Sequence, residues 1–308
     1  MPRSRLIIGG GLLGRAIHRA SHSPSTIAAV RWHDPDASVA DLTEAVDRLV
    51  ESPGHLEIYW CAGRGVTATP ARELTEEVRV FRRFLTALQA LPDDCRSRLT
   101  VFLASSVGGA YAGATDPPFS EHTPPAPLSA YGSAKLEMEG ALTAAAAAGG
   151  LRAFIARLTN IYGPGQDLTK AQGLISVLID GEVSGRPVNV YVPLDTLRDY
   201  IYEDDAAAVI DAAMMRLGVL DRGTRVVKVV GTMRAVSVGA ILGEITRLRR
   251  RRGPFVLGQG NATGQAMDLR VQSRVWPDLD GLARTTLPEG LGRVFLARLA
   301  AEGRRGAV

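Results

Sequence analysis

Cysteine is scarce in this chain of 308 residues: there are two, Cys61 and Cys95, far apart and without a CxxC partner. That argues against a disulfide framework and a structural zinc site, so both are read as free thiols and no metal site is expected. No apolar run approaches the ~18 residues that cross a bilayer, which leaves no membrane partner and points to a cytoplasmic protein. Internal repeats and long disordered linkers are also missing. The pI near 9.3 rests on a formal charge of only +4, much of it in Arg247, Arg249, Arg250, Arg251 and Arg252, with Arg304 and Arg305 near the end. No aromatics are interleaved with these arginines, so the run reads as a solvated helix end and no nucleic acid is expected as partner.

What is present is ordinary globular material, 46% hydrophobic and 22% charged, long enough for one large α/β domain or two lobes. Residues Arg5 to Ile8 form a short apolar strand that runs into Gly9-Gly10-Gly11-Leu12-Leu13-Gly14 and then a helix through Ala20. In that setting GxGxxG has a meaning: Gly9 for a tight turn, Gly11 for close approach of a pyrophosphate to a helix N-terminus, Gly14 for helix-on-strand packing. The next strand, Thr26 to Arg31 or Trp32, ends on a mixed signal for the adenosine ribose. Arg31 favours NADP, whereas Asp34 suits a ribose or adenine.

A helix from Ser38 to Val50, capped by Ser38, is followed by the strand Leu56 to Trp60. This strand ends at Cys61-Ala62-Gly63, small residues that leave room for a ligand at a strand's carboxyl end. A long helix from Ala71 to Leu91 precedes the strand Leu99 to Ala104, which delivers Ser105-Ser106-Val107-Gly108-Gly109 to the same edge. After a proline-rich loop, Asp116 to Leu128, comes Tyr131-Gly132-Ser133-Ala134-Lys135, opening an Ala-rich helix that ends at Gly149-Gly150. Four residues apart, Tyr131 and Lys135 share a helical face, so an ammonium can favour the ionised phenol and make it a proton donor and acceptor. The strand Leu151 to Leu158 ends the regular alternation, which implies a parallel sheet with helices on both faces.

Taken in order, GGGLLG, SSVGGAY, YGSAK, RLTNIYGPGQ, LRDYIYEDDAA and a terminal TTLPEGLGRVF make the chain resemble the extended short-chain dehydrogenase/reductases, in their NAD-dependent epimerase/dehydratase branch. The resemblance implies an α/β fold: a Rossmann-type doubly wound parallel sheet with a smaller, interleaved C-terminal substrate lobe. The dinucleotide-binding domain would take residues 1–166, with 197–217 returning to it. The lobe would take 167–196 and 218–308. The resemblance further implies NAD or NADP as cofactor, a nucleotide sugar as substrate, and a homodimer packed through the long Ala71 and Tyr131 helices.

Carried over by position, Tyr131 is the acid/base and Lys135 lowers its pKa and binds the nicotinamide ribose. Gly9, Gly11, Leu12, Leu13, Gly14, Arg31, Asp34, Cys61, Ala62 and Gly63 fall on the cofactor. Val107, Gly108, Asn160, Gln166 and Arg198 fall on the substrate, with Asn160 and Arg198 toward its diphosphate.

The chain departs from the family pattern in three ways. Its glycine motif is one residue tighter, with a strand seemingly missing after the first helix. Val107 occupies the usual catalytic Ser/Thr position, so Ser106, Ser105 or the backbone at Gly108 must substitute. Gly108 and Gly109 stand where 4,6-dehydratases keep an Asp-Glu pair, so elimination lacks its acid and base. The expected activity is epimerisation through transient oxidation and hydride return. A one-way ketosugar reductase or dehydrogenase and a non-catalytic dinucleotide sensor are the alternatives.

Overall fold

The computed structural model describes the chain except residues 1, 64, 66–68, 169–172, 251–252, 259–265 and 306–308, and the side chains of 304 and 305. Arg251, Arg252 and residues 169–172 lie outside the described residues.

The first half runs β1 (Arg3–Ile8), α1 (Leu12–Ala20), β2 (Ser25–Ile27), α2 (Pro35–Val50), β3 (His55–Trp60), α3 (Ala71–Ala90), α4 (Asp93–Ser97), β4 (Leu99–Ser106), α5 (Val107–Tyr111), α6 (Ala130–Gly149) and β5 (Arg152–Leu158). It continues through β6 (Asn160–Tyr162), α7 (Leu174–Ser184), β7 (Val188–Val190), β8 (Leu197–Arg198), β9 (Tyr200–Tyr202), α8 (Glu203–Gly218) and β10 (Arg225–Val230). The last part holds β11 (Val236–Ser237), α9 (Val238–Arg249), β12 (Phe255–Leu257), a 3-10 turn at Pro277–Leu282 and α10 (Leu287–Arg305).

Six strands pair in parallel in the order β10-β5-β4-β3-β1-β2. The central strands are rich in apolar residues because both faces are covered, and alternate residues serve opposite layers. Leu6, Ile8, Ile58, Trp60, Val101, Leu103, Ala153 and Ile155 enter one core, against α2, α3 and α6. Ile7, Tyr59, Phe102, Phe154 and Ala156 enter the other, against α1 and α8. The strand order reverses between β1 and β3, and an open α/β sheet binds its ligands at the carboxyl edge of such a switch point.

Three expectations are corrected. The strand after α1 is only three residues long: Ala28 N still donates to Ile7 O, but Trp32 N and Asp34 N turn back to Val30 O and Arg31 O. The next helix starts earlier and is capped by Asp34, whose carboxylate accepts from Asp36 N and Ala37 N, while the Ser38 hydroxyl donates to Arg31 O. Residues 225–230, expected in the smaller lobe, pair with β5 as the far edge of the main sheet.

A further core of Tyr162, Ile175, Leu178, Ile179, Val190, Tyr202, Val238, Ile241, Ile245, Leu291, Val294 and Phe295 joins α7, α9 and α10 around the short β7–β12 pair. Among the described residues, no helix is long and apolar enough to cross a membrane.

Candidate active site

The glycine turn sits on the switch point. Gly9 has φ of +102°, a left-handed conformation that favours glycine, and a Cβ there would come within 2.5 Å of Ala62 N. A Cβ on Gly14 would strike the Gly9 carbonyl, so α1 lies directly on the turn. Among the described residues, no atom comes within 4 Å of the Cβ position of Gly11, the N-cap of α1, and no side chain caps the helix. The first-turn N–H groups therefore face an open cradle of the kind that receives a pyrophosphate.

Leu12 is half-buried, and Leu13 points into the core, so only its backbone serves that cradle. Arg15 spans the cradle, donating to Gly10 O at 2.9 Å and Gly165 O at 2.6 Å. Burial pushes the Cys61 thiol far up, which makes it a neutral wall.

Tyr131 and Lys135 lie at the start of α6, where the Ser129 hydroxyl caps the helix by accepting from Gly132 N. The Lys135 Nζ stands 5.7 Å from the centre of the Tyr131 ring and donates to Glu77 Oε1 at 3.1 Å. Glu77 belongs to α3. Burial opposes the charged form of Lys135, but Glu77 and Tyr131 outweigh it and raise its pKa above the usual value. Gly63 runs across this pair: a Cβ on it would lie 3.1 Å from both Glu77 Oε1 and Lys135 Nζ. Cβ positions built on Gly65 and Gly109 fall 3.2 and 3.5 Å from the Tyr131 ring, so the phenol is flanked by backbone on two sides.

The serine pair divides. Ser106 caps α5, accepting from Gly109 N at 3.0 Å, beside Tyr131. Ser105, expected among the catalytic residues, faces inward and donates to Glu139, which also binds Arg157. Arg157 in turn donates to the Tyr111 hydroxyl. An ion pair this deeply buried is costly to break, by ~3–5 kcal/mol, so Ser105 is held by the interior and away from a substrate. Val107, expected at the substrate, also turns inward and packs with Tyr111, Phe119, Val229 and Leu269. The peptide chain rather than a side chain meets the site at Gly108 and Gly109.

On the opposite rim, Asn160 Nδ2 donates to Asp199 O at 3.2 Å. The Asp199 carboxylate collects Thr159 Oγ1, Thr232 N, Thr232 Oγ1 and Arg234 N. The Arg198 guanidinium donates to the carbonyls of Leu197, Ala266 and Met267. Burial lowers its pKa, yet a guanidinium stays charged. Gln166 accepts from Ser176 Oγ at 2.8 Å and lines a cleft between α7 and α10 with Gly163, Leu168, Ile179 and Arg298.

At the adenosine end both candidates are occupied. Arg31 forms a fork on Asp41, with distances of 2.7 to 3.2 Å, and Asp34 is spent as the α2 cap. Glu77 and Asp41 lie in no motif, and Asp199, although inside LRDYIYEDDAA, carries no role in the sequence reading. An acidic residue at a half-buried position of α3 was the one available signal for Glu77. Among the described residues, no group of three or more His, Cys, Asp or Glu is placed to hold a metal.

Comparison with known proteins identifies the family. The model of the NAD dependent epimerase/dehydratase family matches residues 6–227. Among curated proteins, the chain is 32% identical over 105 residues to dTDP-4-dehydro-6-deoxyglucose reductase of Escherichia coli, covering 34% of the chain and 33% of that protein. It is 34% identical over 101 residues to dTDP-L-rhamnose 4-epimerase of Burkholderia thailandensis, covering 32% and 28%. These matches span about a third of the relatives' length or less. Among solved structures, the UDP-glucose 4-epimerase of Thermus thermophilus in complex with NAD superposes with a TM-score of 0.74 at 20% identity, covering 99% of the chain and 100% of its own. At that identity the likeness is one of fold.

Proposed function

The chain belongs to the NAD dependent epimerase/dehydratase family, and on that premise we propose that it is a nicotinamide-dinucleotide-dependent epimerase of nucleotide-activated sugars. The observation that carries the reading is the placement of Tyr131 and Lys135 beside Gly63, at the same sheet edge as the Gly9–Ala62 contact. The open cradle at Gly11 suits a pyrophosphate, so the residues present fit the cofactor. Gly9, Gly11 and Gly14 would hold the dinucleotide, with Ala62 and Gly63 along it. NAD or NADP, when bound, supplies a reversible hydride acceptor.

The chain's own residues handle the proton. The Tyr131 phenolate takes it from a sugar hydroxyl during oxidation and returns it once the ketone has presented its other face. The Lys135 ammonium stabilises the phenolate through space. Ser106 accepts from Gly109 N and keeps its own O–H to donate to the substrate oxygen. Asn160 and Arg198 lie toward the substrate's diphosphate, which a planar guanidinium recognises with paired hydrogen bonds. Positions 108 and 109, both glycine, supply no side-chain acid or base for an elimination.

The reductase reading uses the same residues and is favoured by the match to the Escherichia coli reductase. A panel of UDP- and dTDP-sugars decides between them. Sugar interconversion without net change in nicotinamide absorbance supports the epimerase, and stoichiometric consumption of reduced cofactor supports the reductase. Tyr131→Phe lowers turnover by about 10²- to 10⁴-fold while cofactor binding persists. Undiminished turnover in that variant refutes both readings.

A further inference from the structure

Glu77 has no part in the mechanism above, yet it is in direct contact with Lys135. The two residues come from facing helices, α3 and α6, and their side chains are 17% and 7% exposed. Their charged atoms are 3.1 Å apart, and the Gly63 backbone lies over both. Lysine carries its charge on a flexible four-carbon stem, so an ammonium held by one carboxylate and covered by backbone has lost most of its freedom. That held ammonium is the cation facing Tyr131.

Resting on the reading of Tyr131 as acid/base, we propose that Glu77 is a positioning residue: it fixes the Lys135 ammonium beside the phenol and, by compensating part of its charge, sets the pH at which Tyr131 ionises. An isolated ammonium at this distance favours the phenolate strongly. An ammonium paired with a carboxylate acts as a dipole, whose influence falls off faster. Among the described residues, the charged and titratable groups facing Lys135 are Glu77 from α3 and Tyr131 from α6 itself. Glu139, one turn further along α6, is taken up by Arg157 of β5 and Ser105 of β4. From α5, Tyr111 is bonded to Arg157.

Glu77→Gln separates the two roles, because the amide oxygen still accepts from the ammonium while the negative charge is gone. The measurement is ultraviolet difference titration of tyrosinate in the ligand-free protein, with Tyr131→Phe subtracted as background. The Tyr131 midpoint is expected to fall by about one pH unit in Glu77→Gln and to stay near wild type in Glu77→Asp. The pH–rate limb for sugar oxidation moves in the same direction. A Glu77→Gln midpoint that is unchanged or raised overturns the proposal. If that variant does not fold, Glu77→Asn carries the same test with the same sign. Loss of turnover in Tyr131→Phe with no midpoint shift in the neutral Glu77 variants removes Glu77 alone. Full turnover in Tyr131→Phe removes the acid/base reading beneath it.

Discussion

The backbone of Gly132 rests on that of Gly109, so closely that a Cβ on Gly132 would strike the Gly109 carbonyl oxygen. The contact holds α6 against α5 one residue after Tyr131 and three after Ser106. It also accounts for glycine at 109 without reference to chemistry, since a Cβ there would stand 3.3 Å from Gly132 Cα.

Gly132→Ala is therefore expected to destabilise the fold by ~1–3 kcal/mol, because neither backbone is a flexible side chain that gives way. Turnover falls with it, through displacement of Tyr131. Gly140→Ala, on the same helix with nothing within 4 Å of the new Cβ, changes stability the other way, by ~0.5–1 kcal/mol. Urea denaturation of the two variants checks the opposite signs.

Asp41 controls Arg31. Its carboxylate is held down to a pKa of about 2, first by the Arg31 side chain and then by the Arg31 backbone N–H. While that fork is made, Arg31 is a poor receptor for a 2′-phosphate. Asp41→Asn is expected to shift preference toward NADP over NAD by about tenfold, measured as the ratio of dissociation constants by calorimetry. An unchanged ratio assigns Arg31 to helix α2 alone.

His55 makes stability depend on pH. Burial keeps its imidazole below the ordinary value of 6.5 despite the nearby Glu57, and its Nε2 is 2.9 Å from Thr100 Oγ1. The unfolded chain takes up a proton as pH falls through 6.5, and the folded chain resists. The unfolded state then binds more protons, so this contribution is complete above 6.5 and is lost as pH falls from there through the folded value. Urea midpoints at pH about 7.5 and about 5.5 should differ less in His55→Gln than in wild type.

For the candidate site, the local structure around residues close together in sequence was legible. Tyr131 and Lys135 are four apart on one helix, and Gly9, Gly11 and Gly14 mark a strand–turn–helix by themselves. What escaped depends on which way a side chain turns at a strand end, or on partners far apart in sequence. Ser105, Ser106 and Val107 are neighbours, yet Ser105 and Val107 turn inward while Ser106 caps α5 at Gly109, because β4 ends there and the polypeptide turns into α5. Glu77 and Lys135 meet across two helices, and Arg31 and Asp41 meet across the turn that shortens β2. Ser38 had the chemistry of a cap, but Asp34 reached the free N–H groups first and Pro35 suits the opening turn. The strand at 225–230 lies beyond the point where alternation loosens, so only pairing with β5 reveals its sheet.

Arg198 and Asp199 are adjacent but are held in different ways. Asp199 is locked at its carboxylate by Thr159, Thr232 and Arg234, which fixes the chain at the arginine's base. Among the described residues, the guanidinium's hydrogen bonds go to the carbonyls at 197, 266 and 267. An anion that recruits it must replace those acceptors, so recognition here is an exchange of hydrogen bonds with little ordering of backbone. Affinity through Arg198 should then be modest per contact, and residues 266 and 267 lose a donor whenever the arginine turns away.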